Sequence, residues 1–425
     1  MTTDFPTVDE MDAATRKLAA DGIEVQTLGK SRTGRTIEMI SIGDGPLSAL
    51  VVGAPHPNEP AGCATAELLI ERLLAGTMPR GRFRWHVIKA IDIDGLAMNQ
   101  GWFRGPRTFA GYAQNFFRPA FHRQPEYAFP LTAAGYAFDD ATPETQCWQR
   151  ALDIAKPQLQ ASLHGSEFGG AFFLTTEAIP ALTERISAAV AETGLGLNTV
   201  GDTGYWEQAY APAFFPLHSL AEPGKLPADW RAGNSSCGYA RDRFGTFSLM
   251  PEVPLWTGRI LFEESETAFS LGDVATLART LNAEIASTLA RDLPRLAQRP
   301  QSGDDHELQL ALEQAELGAK VAGAPSNERP APGPRLTRRE YALRALKTRM
   351  ALVRPFAMLR RLAQSLADRG DADAKSIAAA AQMTMSGKLT IIRKEAGLEP
   401  VPTEALAGLQ LEAILASAEA IAARS

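Results

Sequence analysis

The sequence predicts an α/β layered protein that ends in an all-helical extension. Three observations carry this. Residues 47–55 form an apolar run closed by Gly53 and Pro55, and residues 61–74 then repeat apolar side chains at 61, 64, 68, 69, 73 and 74. That is a buried strand, a turn and an amphipathic helix. Strand and helix patterns go on alternating to about residue 297, as layered α/β domains do. Beyond about residue 300 the strand pattern stops and helical sequence takes over.

Taken in order, residues 8–20 read as a helix and 36–42 as a strand. Further strands are expected at 47–53, 84–92, 158–163, 171–176 and 246–255, and helices at 61–75, 143–155, 179–193 and 272–297. Between 99 and 142 periodicity gives way to Gly, Pro, Arg and aromatic side chains. A loop of that length is functional or disordered, and its aromatic content argues for order. Residues 301–320 are polar and helix-compatible, and 324–334 are Pro-rich, a linker or extended strap. From 335 the chain reads as helical. Pro355 is expected to break one stretch, and Ala-rich helices follow at about 372–396 and 403–422. Leu343, Leu346, Met350 and Val353 recur at spacings of three and four, which makes a buried stripe. The expected division is a catalytic domain over 1–300, a helix and Pro-rich linker over 301–334, and a helical accessory region over 335–425.

Composition narrows the class. Hydrophobic content of 45% with 22% charged residues is that of a soluble globular chain. A net charge of −6 gives no reason to expect nucleic acid as a partner. Residues 335–370 are a local exception, with ten Lys or Arg against Glu340 and Asp368. They are read as amphipathic helices whose cations meet acids elsewhere in the chain. A nucleic-acid or membrane-surface binder is the competing reading, and a steep salt dependence of binding would support it. No run of 18 apolar residues occurs, so no membrane span is expected. The first ten residues lack the basic start and apolar stretch of a signal peptide. Cys63, Cys147 and Cys237 are odd in number, widely spaced and free of any CxxC pattern. Free thiols in a reducing, cytoplasmic setting follow as the expectation.

The chemistry concentrates at strand ends. His56-Pro-Asn-Glu59 fills the turn after the strand at 47–53, where open α/β sheets place ligands. An imidazole and a carboxylate there can converge on one metal ion, and catalytic zinc takes three such ligands with one position left open. His164, just after the strand at 158–163, is the candidate third ligand. Taken singly, His56-x-x-Glu59 is a spacing that recurs by chance; the second strand-end histidine is what gives it weight. Metal-assisted hydrolysis also needs a base. Glu252 is the candidate, because an isolated carboxylate inside an otherwise buried strand would be costly. Arg104, Arg107 and Arg118 lie in the aromatic stretch, and arginine can grip a carboxylate or steady an oxyanion.

At this point five segments resemble a family in the right order. Gly53-Ala-Pro-His56-Pro-Asn-Glu59-Pro-Ala-Gly62 is similar to the first zinc motif of the zinc carboxypeptidases of the carboxypeptidase A type. Ile91-Asp-Ile-Asp-Gly95, Pro143-Glu-Thr-Gln146, Ser162-Leu-His-Gly165 and Thr246 to Leu255 resemble later segments of that family, the last being the strand of its catalytic Glu. The resemblance spans roughly 30–290. It implies an α/β/α sandwich on a mixed, mostly parallel sheet, with Zn²⁺ held by His56, Glu59 and His164 and with Glu252 as the base. It further implies an oxyanion-stabilising Arg, for which Arg104 and Arg107 are both open. Arg118, with Asn115 beside it, is the choice for gripping a substrate carboxylate, and Tyr239 the candidate substrate-side tyrosine. The expected activity is removal of a C-terminal amino acid from a peptide. Hydrolysis of acyl-amino acids on the same fold is the alternative. The helical region is expected to shape the cleft or form a homo-oligomer contact.

Overall fold

The computed structural model describes residues 4–77, 82–199, 208–322 and 333–424. In chain order its elements begin with α1 (Val8–Ala20), β1 (Glu24–Lys30), β2 (Thr36–Ile42), β3 (Leu47–Gly53), α2 (Ala61–Leu74), β4 (Phe83–Ile88), α3 (Ile93–Asn99) and α4 (Phe109–Asn115). There follow β5 (Leu131–Ala133), β6 (Tyr136–Phe138), α5 (Pro143–Ala155), β7 (Leu159–Phe168), β8 (Phe172–Thr175), α6 (Pro180–Thr193), β9 (Phe214–Pro216), α7 (Ser236–Phe244) and β10 (Phe247–Thr257). The remainder is β11 (Glu266–Ser270), α8 (Leu271–Ala297), α9 (Gly303–Ala322), β12 (Arg335–Thr337), α10 (Arg338–Asp368), α11 (Ala372–Ala396), β13 (Glu399–Pro400) and α12 (Thr403–Ala422).

Two compact units result. The first comprises residues 1–105, 121–255 and 401–425, and the second 106–120 and 256–400. The expected boundaries group the chain differently. Helix α8 falls in the second unit rather than with the site-bearing domain, and α12 falls in the first rather than in the accessory region. The Pro-rich stretch 324–334 lies, except for 333 and 334, outside the described residues.

The first unit is an α/β/α sandwich. Its sheet runs in the order β1-β2-β4-β3-β7-β10-β8-β9. Strand β3 is parallel to β4 and β7, and β8 to β9, while β1–β2, β2–β4 and β8–β10 are antiparallel. Strands β7 and β10 start together, since the Phe247 amide donates to the Gln158 carbonyl, and Val253 lies beside Gly165 further on. They therefore run the same way. Ala49 to Val52 are fully buried, as a central strand covered on both faces requires. Side chains alternate along β7. Trp148 of α5 donates to Gln160, whereas Gly62 of α2 packs on Leu163. Helices α2 and α5 thus cover opposite faces. Helix α12 is apolar and long enough to cross a membrane by composition, but it is mostly buried, packed on α2 and α6. The chain leaves this unit at Leu255 and re-enters at Val401, whose amide donates to the Leu255 carbonyl at 3.0 Å.

In the second unit α8, α9, α10 and α11 pack on one another, with α4 against α10 and α11. The stripe Leu343, Leu346, Met350 and Val353 is buried. Pro355 does not break the helix: α10 runs through it from Arg338 to Asp368. A proline costs an internal helix roughly 3 kcal/mol. Burial of Leu352, Phe356, Leu359 and Leu362 around it outweighs that local cost. Basic residues of the segment meet acids, with Arg339 on Glu264 at 2.7 Å, Arg338 on Glu263 at 3.2 Å and Arg369 on Asp305. Within 99–142, read as irregular, the chain forms α4 and the hairpin β5–β6.

Candidate metal centre

Strand β3 ends at Gly53, where a Cβ would meet the Lys89 carbonyl at 2.2 Å. Ala54 follows with φ of 45°, a left-handed conformation that costs a non-glycine residue energy. Amides of Ile91 and Asp92 donate to the carbonyls of Gly53 and Ala54 and hold this bend. The chain then turns through His56 to Glu59, the Glu59 amide donating to the His56 carbonyl at 3.1 Å. His164 arrives on the neighbouring β7, and Glu252 on β10 beyond it. Three adjacent strands thus deliver the groups.

His56, Glu59 and His164 are all buried, and one ligand atom from each lies within 4.8 Å of the others. The two imidazoles meet edge to face at 4.7 Å. His164 Nδ1 is 3.3 Å from Glu59 Oε2 and 3.7 Å from Glu252 Oε1. Glu59 Oε2 also accepts the Gly165 amide at 3.0 Å. The Glu252 side chain keeps 14% exposure, so this carboxylate retains access that His164, at 2%, lacks.

A third carboxylate, Glu126, sits 3.7 Å from His164 Nε2 and is fully buried. Burial disfavours a charged His164, but Glu126, Glu59 and Glu252 outweigh it and the imidazole is pushed up to about 10. Carboxylates gathered around buried imidazoles make a site that calls for positive charge. Two nitrogen donors and one carboxylate oxygen are the set that a catalytic zinc takes, so the residues fit that ion.

Some participants are visible only in the fold. Gln410 of α12 is buried, and its amide nitrogen donates to the His164 carbonyl at 2.6 Å and to the Pro251 carbonyl at 3.3 Å. Its oxygen accepts the Thr65 hydroxyl of α2 at 2.7 Å. One side chain thereby joins three elements of the site. The signal for it was a lone amide in an apolar helix. Tyr127 stacks on His56 at 5.6 Å, with Phe121 stacked on its ring at 4.3 Å.

The remaining candidates divide between the two units. In the first unit, Arg104 pairs with Asp4 and Glu10 near the start of α1. Tyr239 packs on Phe129 at 5.0 Å, near the Arg243–Asp153 ion pair, and burial pushes its phenol up. Arg107, Asn115 and Arg118 belong to the second unit. There Arg107 is buried and its carbonyl accepts the Trp256 indole at 3.4 Å. Asn115 donates to Gly111 at 2.9 Å and its carbonyl accepts Arg361 at 2.7 Å, while Arg118 is half-buried.

The segments at 91–95 and 143–146 form a separate buried network. Arg32 reaches Glu144 at 3.2 Å and Asp92 at 3.5 Å. Asp92 caps α3 by accepting the Gly95 amide at 3.1 Å. Burial pushes the Asp92 carboxyl up to about 7, with Glu144 adding to the rise and Arg32 opposing it. A carboxyl raised on folding contributes stability below its unfolded value, near 4, that is lost as pH rises through the folded value. Asp92→Asn keeps the accepting oxygen and removes the titration. Relative to the wild type, the variant is expected to gain on the order of 1–2 kcal/mol between pH 5 and pH 8. Denaturant unfolding of both proteins at the two values checks this, and parallel losses would exclude Asp92 as the source.

Residues 11–118 match the zinc carboxypeptidase family model. No curated protein matches the chain. Among solved structures, a metallo-carboxypeptidase from Burkholderia cenocepacia is 18% identical, over 59% of this chain and 60% of that one, with a TM-score of 0.36. Carboxypeptidase A from Helicoverpa armigera is 14% identical, over 76% of this chain and 75% of that one, with a TM-score of 0.38. The chain spans about three fifths of the bacterial carboxypeptidases it aligns with. The matched segment contains His56 and Glu59, and over that segment the chain is similar to the zinc carboxypeptidases.

Proposed function

We propose that the protein is a zinc-dependent peptidase that releases a C-terminal amino acid. The observation that carries this is the buried His56–Glu59–His164 cluster with Glu252 beside it, inside a chain whose segment 11–118 is of zinc carboxypeptidase type. His56, Glu59 and His164 would hold the ion. When bound, zinc makes water more acidic and polarises a carbonyl oxygen. Glu252 takes the proton of the attacking water and passes it to the leaving amine. The partly open position of its carboxylate supports that role. An arginine steadies the oxyanion. Arg107 and Arg118 stay the candidates for this and for the substrate carboxylate. Arg104 can serve only by giving up its pair with Asp4 and Glu10. The buried free thiols of Cys63, Cys147 and Cys237 support a reducing, cytoplasmic setting.

Elemental analysis of the purified protein is expected to give about one zinc per chain, with ligand distances of roughly 2.0–2.2 Å in a zinc-loaded crystal. His56→Ala or His164→Ala should lose the metal. A screen on short peptides and acyl-amino acids then sets the substrate, and activity on acyl-amino acids alone would move it to the amidohydrolase alternative. Stoichiometric binding that survives both alanine variants would sink the proposed centre.

A further inference from the structure

His164 is held on its far side by a second group of buried residues. Ser162 Oγ lies 3.2 Å from His164 Nε2 and donates its proton to Glu126 Oε2 at 2.9 Å. Glu126 also accepts the Ser236 hydroxyl, at 2.8 and 3.0 Å, and the Ser236 amide at 3.2 Å. All four side chains are buried. A serine hydroxyl has one proton to give. With that proton committed to Glu126, the Ser162 oxygen can only accept, so Nε2 is the nitrogen that donates. Nδ1, which faces Glu59 and Glu252, is the nitrogen left to offer a lone pair to an ion at the cluster.

We propose that Ser162, anchored by Glu126, is a positioning residue that fixes the ring orientation and the donor nitrogen of His164 for metal binding. The proposal rests on the zinc reading above. Ligating histidines usually donate their other N–H to a carboxylate, carbonyl or water, and such outer partners are worth about 10–100-fold in metal affinity. Here the carboxylate acts through an inserted hydroxyl. The signal was unreadable in sequence, since Glu126 stands in a segment without periodicity and Ser162 reads as an ordinary strand residue.

The test is competition for zinc between the full-length protein and a chromophoric chelator. Ser162→Ala is expected to weaken zinc binding by about 10–100-fold. Ser236→Ala removes a Glu126 partner that does not touch His164 and should shift affinity by less than about threefold. A second readout is the His164 ring-proton signal in nitrogen-15 spectra of the zinc-loaded protein. The Hε2 proton should exchange slowly in wild type and faster in Ser162→Ala. If Ser162→Ala does not fold, Glu126→Gln carries the same expectations. Wild-type zinc affinity in Ser162→Ala, or equal losses in both serine variants with an unchanged ring signal, would overturn the relay alone. A wild-type protein that takes up no zinc would overturn the zinc reading and the relay together.

Discussion

Glu252→Gln is expected to lower turnover by at least about 10²–10⁴-fold, the usual worth of a general base, while zinc content stays at the wild-type level. Gln keeps the shape of the side chain but cannot take a proton from water. Glu252 lies on the rim of the cluster, 3.7 Å from His164 Nδ1, while Glu59 and the two histidines form its interior. Removing its charge should therefore leave the ligand set standing. Steady-state kinetics paired with elemental analysis separates the two roles. Full activity would remove Glu252 from the mechanism, and loss of zinc along with activity would make it a holder of the ion instead.

The second large effect concerns the last 25 residues. A chain ending at Pro400 lacks α12, and with it the buried Leu406, Leu409, Leu411 and Ile414. At about 1.5 kcal/mol or more each, these side chains alone rival the roughly 5–15 kcal/mol that separates a folded domain from its unfolded chain. The truncation also strips Gln410 from Thr65 and from the carbonyls of His164 and Pro251, and buried groups left unsatisfied cost a further ~1–3 kcal/mol each. The shortened protein is expected to be insoluble, or to melt far below the full chain in far-UV circular dichroism. A melting temperature within a few degrees of wild type would show that α12 is dispensable.

Much of this was readable before folding, for a physical reason. Strands 36–42 and 47–53 and helices 8–20 and 143–155 appear as expected, because a buried face repeats at two or at 3.6 residues. Elements with little to bury left little trace. Strand β1 exposes most of its length at the sheet edge, and α7 is short and weakly amphipathic. His56 and Glu59 could be found because a strand end announces itself. The pattern places His164 just past a strand end, but β7 continues through it to Phe168, so it is a mid-strand residue that the apolar run before it made conspicuous. Glu126 and Ser162 could not be found, since 36 positions separate them and only the fold closes the gap. Arg104 had the right residue type and the right neighbourhood. Its attachment to Asp4 and Glu10 depends on where α1 packs, which no local pattern encodes. The same holds for α12, whose return to the first unit is a long-range packing choice.

The hydrogen bond between Val401 and Leu255 closes a long excursion of the chain. It marks the seam where residues 256–400 are spliced into a host that is otherwise continuous from β10 to α12. A segment whose two ends meet, here also through the pairing of Trp256 with Pro400 and Thr257 with Glu399, adds little to the entropy of closing the host, because closure cost rises only slowly with loop length. The length of 256–400 can vary at small closure cost, but α4, from the separate stretch 106–120, packs on α10 and α11 in the same unit and limits how far it can change. Related chains that lack these helices are therefore expected to join the Glu252 strand directly to their last helix.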